Sequence, residues 1–222
     1  IKNMVKILVT GGAGYIGTSL IPKLLSDGYE VTVFDNLMVG GNQLLPFFRH
    51  NNFKFVRGDI RKKDELQDVV NGQDVIIHLA ALVGFPVCRM NPNLAEEINV
   101  DGTVNLINCC TDDQVIFYGS TGSNYGSVKD ICTEDTPLHP LSLYGVTKTK
   151  AEKLLMERKN TIAYRFATAF GLSKRMRFDL AINAMTLNAI NSDNIPLMRD
   201  GTQWRPFVHV KDISRAIHHF CE

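Results

Sequence analysis

The stretch Thr10-Gly11-Gly12-Ala13-Gly14-Tyr15-Ile16-Gly17 closes an apolar, β-branched run from Val5 to Thr10 and opens a helical pattern from Tyr15 to Ser26. Few features restrict a fold more. A buried strand that turns through glycines straight into a helix is the first half of a βαβ unit, and its parallel sheet needs helices on both faces. Glycines there let the backbone approach a ligand, and the helix start offers free N–H groups and a partial positive charge. Two registers fit. From Gly12 the stretch reads G-x-G-x-x-G, and from Gly11 it reads T-G-x-x-G-x-x-G. Both predict a bound dinucleotide.

The rest of the chain keeps the alternation. Glu30 to Phe34, Phe53 to Arg57, Val75 to Leu79, Gln114 to Tyr118 and Thr161 to Phe166 read as strands. Leu94 to Cys110, with Pro92 as its start signal, Ser142 to Arg158, and Phe178 to Ile190 read as helices. The expectation is an α/β chain, a doubly wound parallel sheet of Rossmann type over 1–170. Residues 171–222 are expected to form part of a small substrate lobe, interleaved with that core. The polar segment from Gly119 to Leu141 reads as a long loop, and loops of that length in compact domains usually serve function.

Charge and cysteine usage narrow the class. With 24 basic and 23 acidic residues the net charge is +1, which gives no footprint for nucleic acid or an anionic membrane. No apolar run approaches the roughly 20 residues of a membrane span, and no secretory signal pattern is present. Met4 reads as the native start, after Ile1 to Asn3. Cys88, Cys109, Cys110, Cys132 and Cys221 form no C-x-x-C pair and are odd in number. They read as reduced thiols in a cytoplasmic protein, and no metal site is expected.

Asp35 ends the second strand. An acid there would accept hydrogen bonds from both hydroxyls of an adenosine ribose and repel a 2′-phosphate. No arginine follows it, only Asn36 and Leu37, so NAD is expected rather than NADP. In Gly58-Asp59-Ile60, Asp59 is a candidate for the adenine amino group and Ile60 for packing on the ring, although such turns are common. After His78, which reads as a core histidine, Leu79-Ala80-Ala81 would let the backbone lie against a cofactor. Tyr144 and Lys148 stand one helical turn apart on one face. A tyrosine ordinarily titrates near a pH of about 10, and a neighbouring ammonium together with an oxidised nicotinamide would favour its phenolate. Such a phenolate can take a hydroxyl proton while hydride leaves the same carbon.

TGGAGYIG, FDN at Asp35, GDI at Asp59, HLAA, INVDGT around Asn99, STGSNYG, YGVTK and RPFVHVKD together resemble the extended short-chain dehydrogenase/reductase family, in its nucleotide-sugar epimerase/dehydratase branch. The resemblance covers nearly the whole chain and selects the Gly11-Gly14-Gly17 register. It implies cofactor contacts from Gly11, Gly14, Tyr15, Ile16, Gly17, Asp35, Asn36, Asp59, Ile60, Leu79, Ala80, Ala81, Asn99, Ser120, Tyr144 and Lys148. It implies Thr121 as the third catalytic residue with Tyr144 and Lys148, bridging the sugar oxygen. Thr168 stands where many relatives have a substrate-touching asparagine, a departure that leaves the sugar contact open. Arg205 matches an arginine that binds the substrate's diphosphate, with Arg175 and Arg177 as possible helpers. The 4,6-dehydratases carry Asp-Glu directly after the catalytic threonine, whereas Gly122 and Ser123 stand here. Chains of the family are usually longer, so the sugar-binding lobe is expected to be incomplete. The leading expectation is an NAD-dependent epimerase of a nucleotide-diphosphate sugar, acting at C4 through a transient keto sugar, as a homodimer. A net C4 oxidase or reductase, for example of a GDP-heptose, and a non-catalytic NAD-binding sensor stay open as alternatives.

Overall fold

The computed structural model describes residues 4–192, 194–197 and 200–222; the reading of Ile1 to Asn3 lies outside them. Six parallel strands make the main sheet: β1 (Lys6–Thr10), β2 (Glu30–Asp35), β3 (Phe53–Arg57), β4 (Val75–His78), β5 (Val115–Thr121) and β6 (Thr161–Phe166), in the order β3-β2-β1-β4-β5-β6. This is the doubly wound α/β arrangement expected. The order reverses between β1 and β4, and a crevice at such a switch point, beyond the carboxyl ends of the strands, is where open α/β sheets bind ligands.

Strand side chains alternate between two cores, as a period of two requires. Leu8, Ile76, Ile116 and Tyr118 face one side and meet α2 (Lys63–Val70), α5 (Gly102–Cys109) and α6 (Leu143–Leu155) through Leu66, Leu106 and Ala151. Ile7, Val9, Ile77 and Phe117 face the other and meet α1 (Gly17–Ser26) and α8 (Val210–Cys221) through Leu20, Leu24, Ile213 and Ile217. Residues late in the chain thus complete the core of the first sheet.

The expected helices shift in detail. α1 begins at Gly17, so Tyr15 and Ile16 belong to the turn before it. The helix read from Leu94 starts at Pro92 as α4 (Pro92–Glu96), widens into a π segment (Glu97–Asp101) and continues as α5. The last predicted helix is α7 (Ala181–Ser192). α2, α3 (Phe85–Met90) and α8 were not anticipated, nor were two short parallel strands, β7 (Thr168–Phe170) and β8 (Phe207–His209). The loop expected from Gly119 starts later, because β5 runs through Ser120 and Thr121 to pair with Arg165 and Phe166 of β6. Among the described residues no helix is long and apolar enough to cross a membrane.

Candidate active site

The glycine turn is built by exclusion. At Gly11 (φ 71°) a Cβ would lie 2.6 Å from the Ala80 backbone, and at Gly17 it would run into Gly12. Only bare backbone packs here, which ties the β1 turn to the Leu79-Ala80-Ala81 segment beyond β4. Gly11 donates to the Phe34 carbonyl, Ala13 to Asp35 and Gly14 to Gly11, whereas the N–H groups of Tyr15 and Ile16 have no partner among the described residues. Free donors at a helix start on a side-chain-free cradle fit a pyrophosphate.

Asp35 stands at the tip of β2 beside this turn. Its Oδ2 accepts from Ala13 N (3.0 Å) and its Oδ1 from Leu37 N (2.8 Å). Each carboxylate oxygen keeps acceptor capacity, so a ribose diol still fits. Burial raises its pKa, and the two backbone donors counter that. Gly cradle, free donors and acid together fit a dinucleotide.

Other candidates are differently engaged. The Tyr15 phenol turns away from the cradle and donates to Gly171 O (2.5 Å), while its own carbonyl accepts from Ser173. Only its backbone faces the turn, and its side chain fastens the later lobe to α1. Ile60 is buried in the core against Gly102, so its side chain is not open to an adenine ring. Asp59 is gripped by Arg61 through Nε (3.0 Å) and Nη2 (2.7 Å), and the Asn36 amide also reaches it (3.3 Å). The guanidinium holds its carboxyl down at about 2. Asn99 is buried; both its amide hydrogens go to Leu82 O and Thr147, and its oxygen accepts from Leu82 N (2.7 Å). It shapes the turn after β4 rather than offering a free donor. His78 sits beneath, bonded to Thr10 and Thr103 and stacked on Tyr118, and burial holds its pKa down at about 3.

Thr121 ends β5 and faces the Tyr144 phenol, while Lys148 lies one turn further along α6. Ser142 caps α6 by accepting from Gly145 N, which sets Tyr144 in its first turn. Burial raises the Tyr144 pKa, and the Thr121 hydroxyl and the Arg177 guanidinium pull it back. Lys148, one turn on, is buried with its ammonium 3.9 Å from the centre of the Tyr118 ring. Burial draws its pKa down to about 7, against the pull of Glu152. The ammonium expected to activate Tyr144 rests on the Tyr118 ring, and the Arg177 guanidinium, which pairs with Asp179, also lowers the pKa of the phenol. Ser120 donates to Glu152 (2.5 Å). Sequence reasoning gave Arg177 only as a helper and missed Glu152, although its spacing from Lys148 and Tyr144 by successive turns was a usable signal.

Thr168 begins β7, half-buried, and its N–H donates to Pro206 O (3.2 Å). The β7–β8 pairing thereby brings Thr168 alongside the exposed segment of Arg205.

Residues 7–222 match the family model described as the NAD dependent epimerase/dehydratase family. A putative UDP-glucose 4-epimerase of Methanocaldococcus jannaschii is 33% identical over 95% of this chain and 71% of its own length. A dTDP-glucose 4,6-dehydratase of Streptomyces niveus is 30% identical over 96% of this chain and 67% of its own. Among solved structures, UDP-glucuronic acid 4-epimerase of Bacillus cereus, in complex with UDP-glucuronic acid and NAD, matches with a TM-score of 0.90 at 29% identity, over 98% of this chain and 73% of that one.

Proposed function

The chain belongs to the NAD dependent epimerase/dehydratase family of enzymes, and from that premise we propose that it is a nucleotide-sugar epimerase acting at C4. The observation that carries this reading is the Tyr144 phenol facing Thr121, with Lys148 buried one helical turn further along α6 and no acid in the turn that follows Thr121. NAD, when bound, supplies a hydride acceptor that can return the hydride.

The chain's own residues would do the rest. Gly11, Gly14 and Gly17 open the backbone to the pyrophosphate, and the N–H groups of Tyr15 and Ile16 bind it. Asp35 accepts from the adenosine ribose, with Asn36 beside it. Asp59 and the backbone of Ile60 border the adenine, and Leu79, Ala80 and Ala81 lie along the cofactor. Asn99 holds that segment in place. Ser120 and Lys148 serve the nicotinamide ribose. Tyr144 takes the proton from the sugar hydroxyl and later gives it back, with Thr121 sharing the same oxygen. Thr168 and Arg205 would contact the sugar and its diphosphate, in a lobe drawn from residues 171–222.

Loss of water from C6 needs an acid and a base beside the sugar. Gly122 and Ser123 supply neither, and the buried acid beneath them, Glu152, is spent on Ser120, Asn124 and Arg165. The test is mass spectrometry of products formed from UDP-, GDP- and dTDP-hexoses with NAD. An isomer of equal mass is expected, and Tyr144→Phe should lower its rate by roughly 10²–10⁴-fold. A product two hydrogens lighter would mean net oxidation. A product lighter by one water would overturn the assignment.

A further inference from the structure

Glu152 lies one turn beyond Lys148 on α6, almost completely buried. Four hydrogen bonds converge on its carboxylate. Oε2 accepts from the Ser120 hydroxyl (2.5 Å) and from Asn124 Nδ2 (2.9 Å). Oε1 accepts from Arg165 Nε (2.9 Å) and Nη2 (2.6 Å). Asn124 also donates to Ser120 (3.0 Å), and Arg165 reaches on to the Tyr125 hydroxyl (3.0 Å) and the Glu134 carbonyl (3.1 Å). Ser120 and Arg165 are direct partners across β5 and β6, so the carboxylate caps a cross-strand pair from the helix above.

A buried ion pair is a poor route to stability, because desolvation consumes most of the Coulomb gain and an apolar pair does as well. The position of this one points to another role. It joins the end of β5, where Ser120 and Thr121 sit, to the helix of Tyr144 and Lys148. It also places an anion one helical turn from the buried Lys148, whose ammonium rests on an aromatic ring.

We propose that Glu152 is a positioning residue: clamped by Arg165, its carboxylate fixes the Ser120 hydroxyl and supplies the negative charge that keeps Lys148 an ammonium. In calling Lys148 part of the machinery, this rests on the epimerase reading above. The titratable groups around Lys148 are Tyr118 of β5, His78 of β4 and Glu152 of α6, with Tyr144 acting on the Tyr118 phenol; those around Glu152 add Arg165 of β6 and, through it, Tyr125. Burial keeps His78 neutral down to about 3 and holds the Tyr118 phenol well above its ordinary range. Neither changes charge near neutral pH, so the Lys148 midpoint reports the Glu152–Arg165 pair.

The experiment is NMR titration of lysine labelled with ¹³C at Cε in the whole protein without substrate, with Lys148→Ala to assign the signal. Glu152→Gln removes the anion, and the Lys148 midpoint should fall by about one unit. Arg165→Gln removes the cation that offsets that anion, and the midpoint should rise. A purely structural pair would not move it in opposite directions. An unmoved midpoint in folded Glu152→Gln, or a fall in both variants, overturns the proposal. If Glu152→Gln does not fold, Arg165→Gln decides alone: a rise supports the proposal, and a fall or no change ends it. In turnover, the alkaline limb of the kcat profile should move down with the midpoint in Glu152→Gln. The titration needs no substrate, so a failure of the epimerase reading would appear separately, as absence of any isomer from the wild-type protein.

Discussion

At the tip of β2, Asp35 accepts the backbone N–H groups of Ala13 and Leu37, so the residue read as the selector of NAD also braces the glycine turn. This changes what its removal should do. Asp35→Ala takes away the charge expected to repel a 2′-phosphate and should narrow the gap between NAD and NADP. It should also weaken NAD itself and cost about 2 kcal/mol of stability, because two hydrogen bonds to a charged acceptor are lost. Calorimetric titration with both cofactors and urea unfolding would check this; wild type binding the two equally would refute the selector role. Single residues were legible to different depths. Gly11, Asp35, Tyr144 and Lys148 were readable because their chemistry follows from type and spacing. The engagement of Asn99 with Leu82, of Tyr15 with Gly171 and of Asp59 with Arg61 was not, because each partner is placed by packing.

Among the elements, α6 packs its functional stripe inward, with Lys148 and Glu152 buried beside Thr147, Ala151 and Leu155. A charge placed there for function is carried at a cost in stability. Lys148→Met should therefore abolish turnover and raise stability by about 1–4 kcal/mol at pH 6–7. Unfolded, this lysine keeps its proton to about 10.5; folded, only to about 7. Below pH 7 both states are protonated and the full cost stands. Between those values only the unfolded state still binds the proton, so wild type gains stability as pH rises and its deficit to the variant shrinks. Thermal melts of both proteins from pH 6 to 10 would measure it, and a gap that widens with pH would contradict it. The missed helices α2 and α8 carried readable periods: Leu66, Val69 and Val70 in one, Val210, Ile213, Ser214 and Ile217 in the other, are buried at helical spacing. The π segment at Glu97–Asp101 had no such signal, since widening one turn leaves composition unchanged.

At the scale of the whole molecule, the outer helices carry exposed apolar side chains. Phe85, Val87 and Met90 of α3 are exposed next to α6. A homodimer is the proposal, and light scattering should return twice the chain mass at micromolar concentration, with Met90→Lys shifting it toward monomer. Monomer for the wild type at all concentrations would count against it. The sequence by itself determined the parallel α/β sheet, the glycine turn and the identity of the catalytic candidates. Strand runs, helical periods and turn glycines are local codes, written in residue type and spacing. The tertiary structure alone decided that α8 closes the core over α1, that Lys148 rests on Tyr118 while Arg177 faces Tyr144, and that Glu152 joins β5, β6 and α6. Those relations hold between residues far apart in the chain, and only the packing of sheet against helix brings their charges within reach of one another.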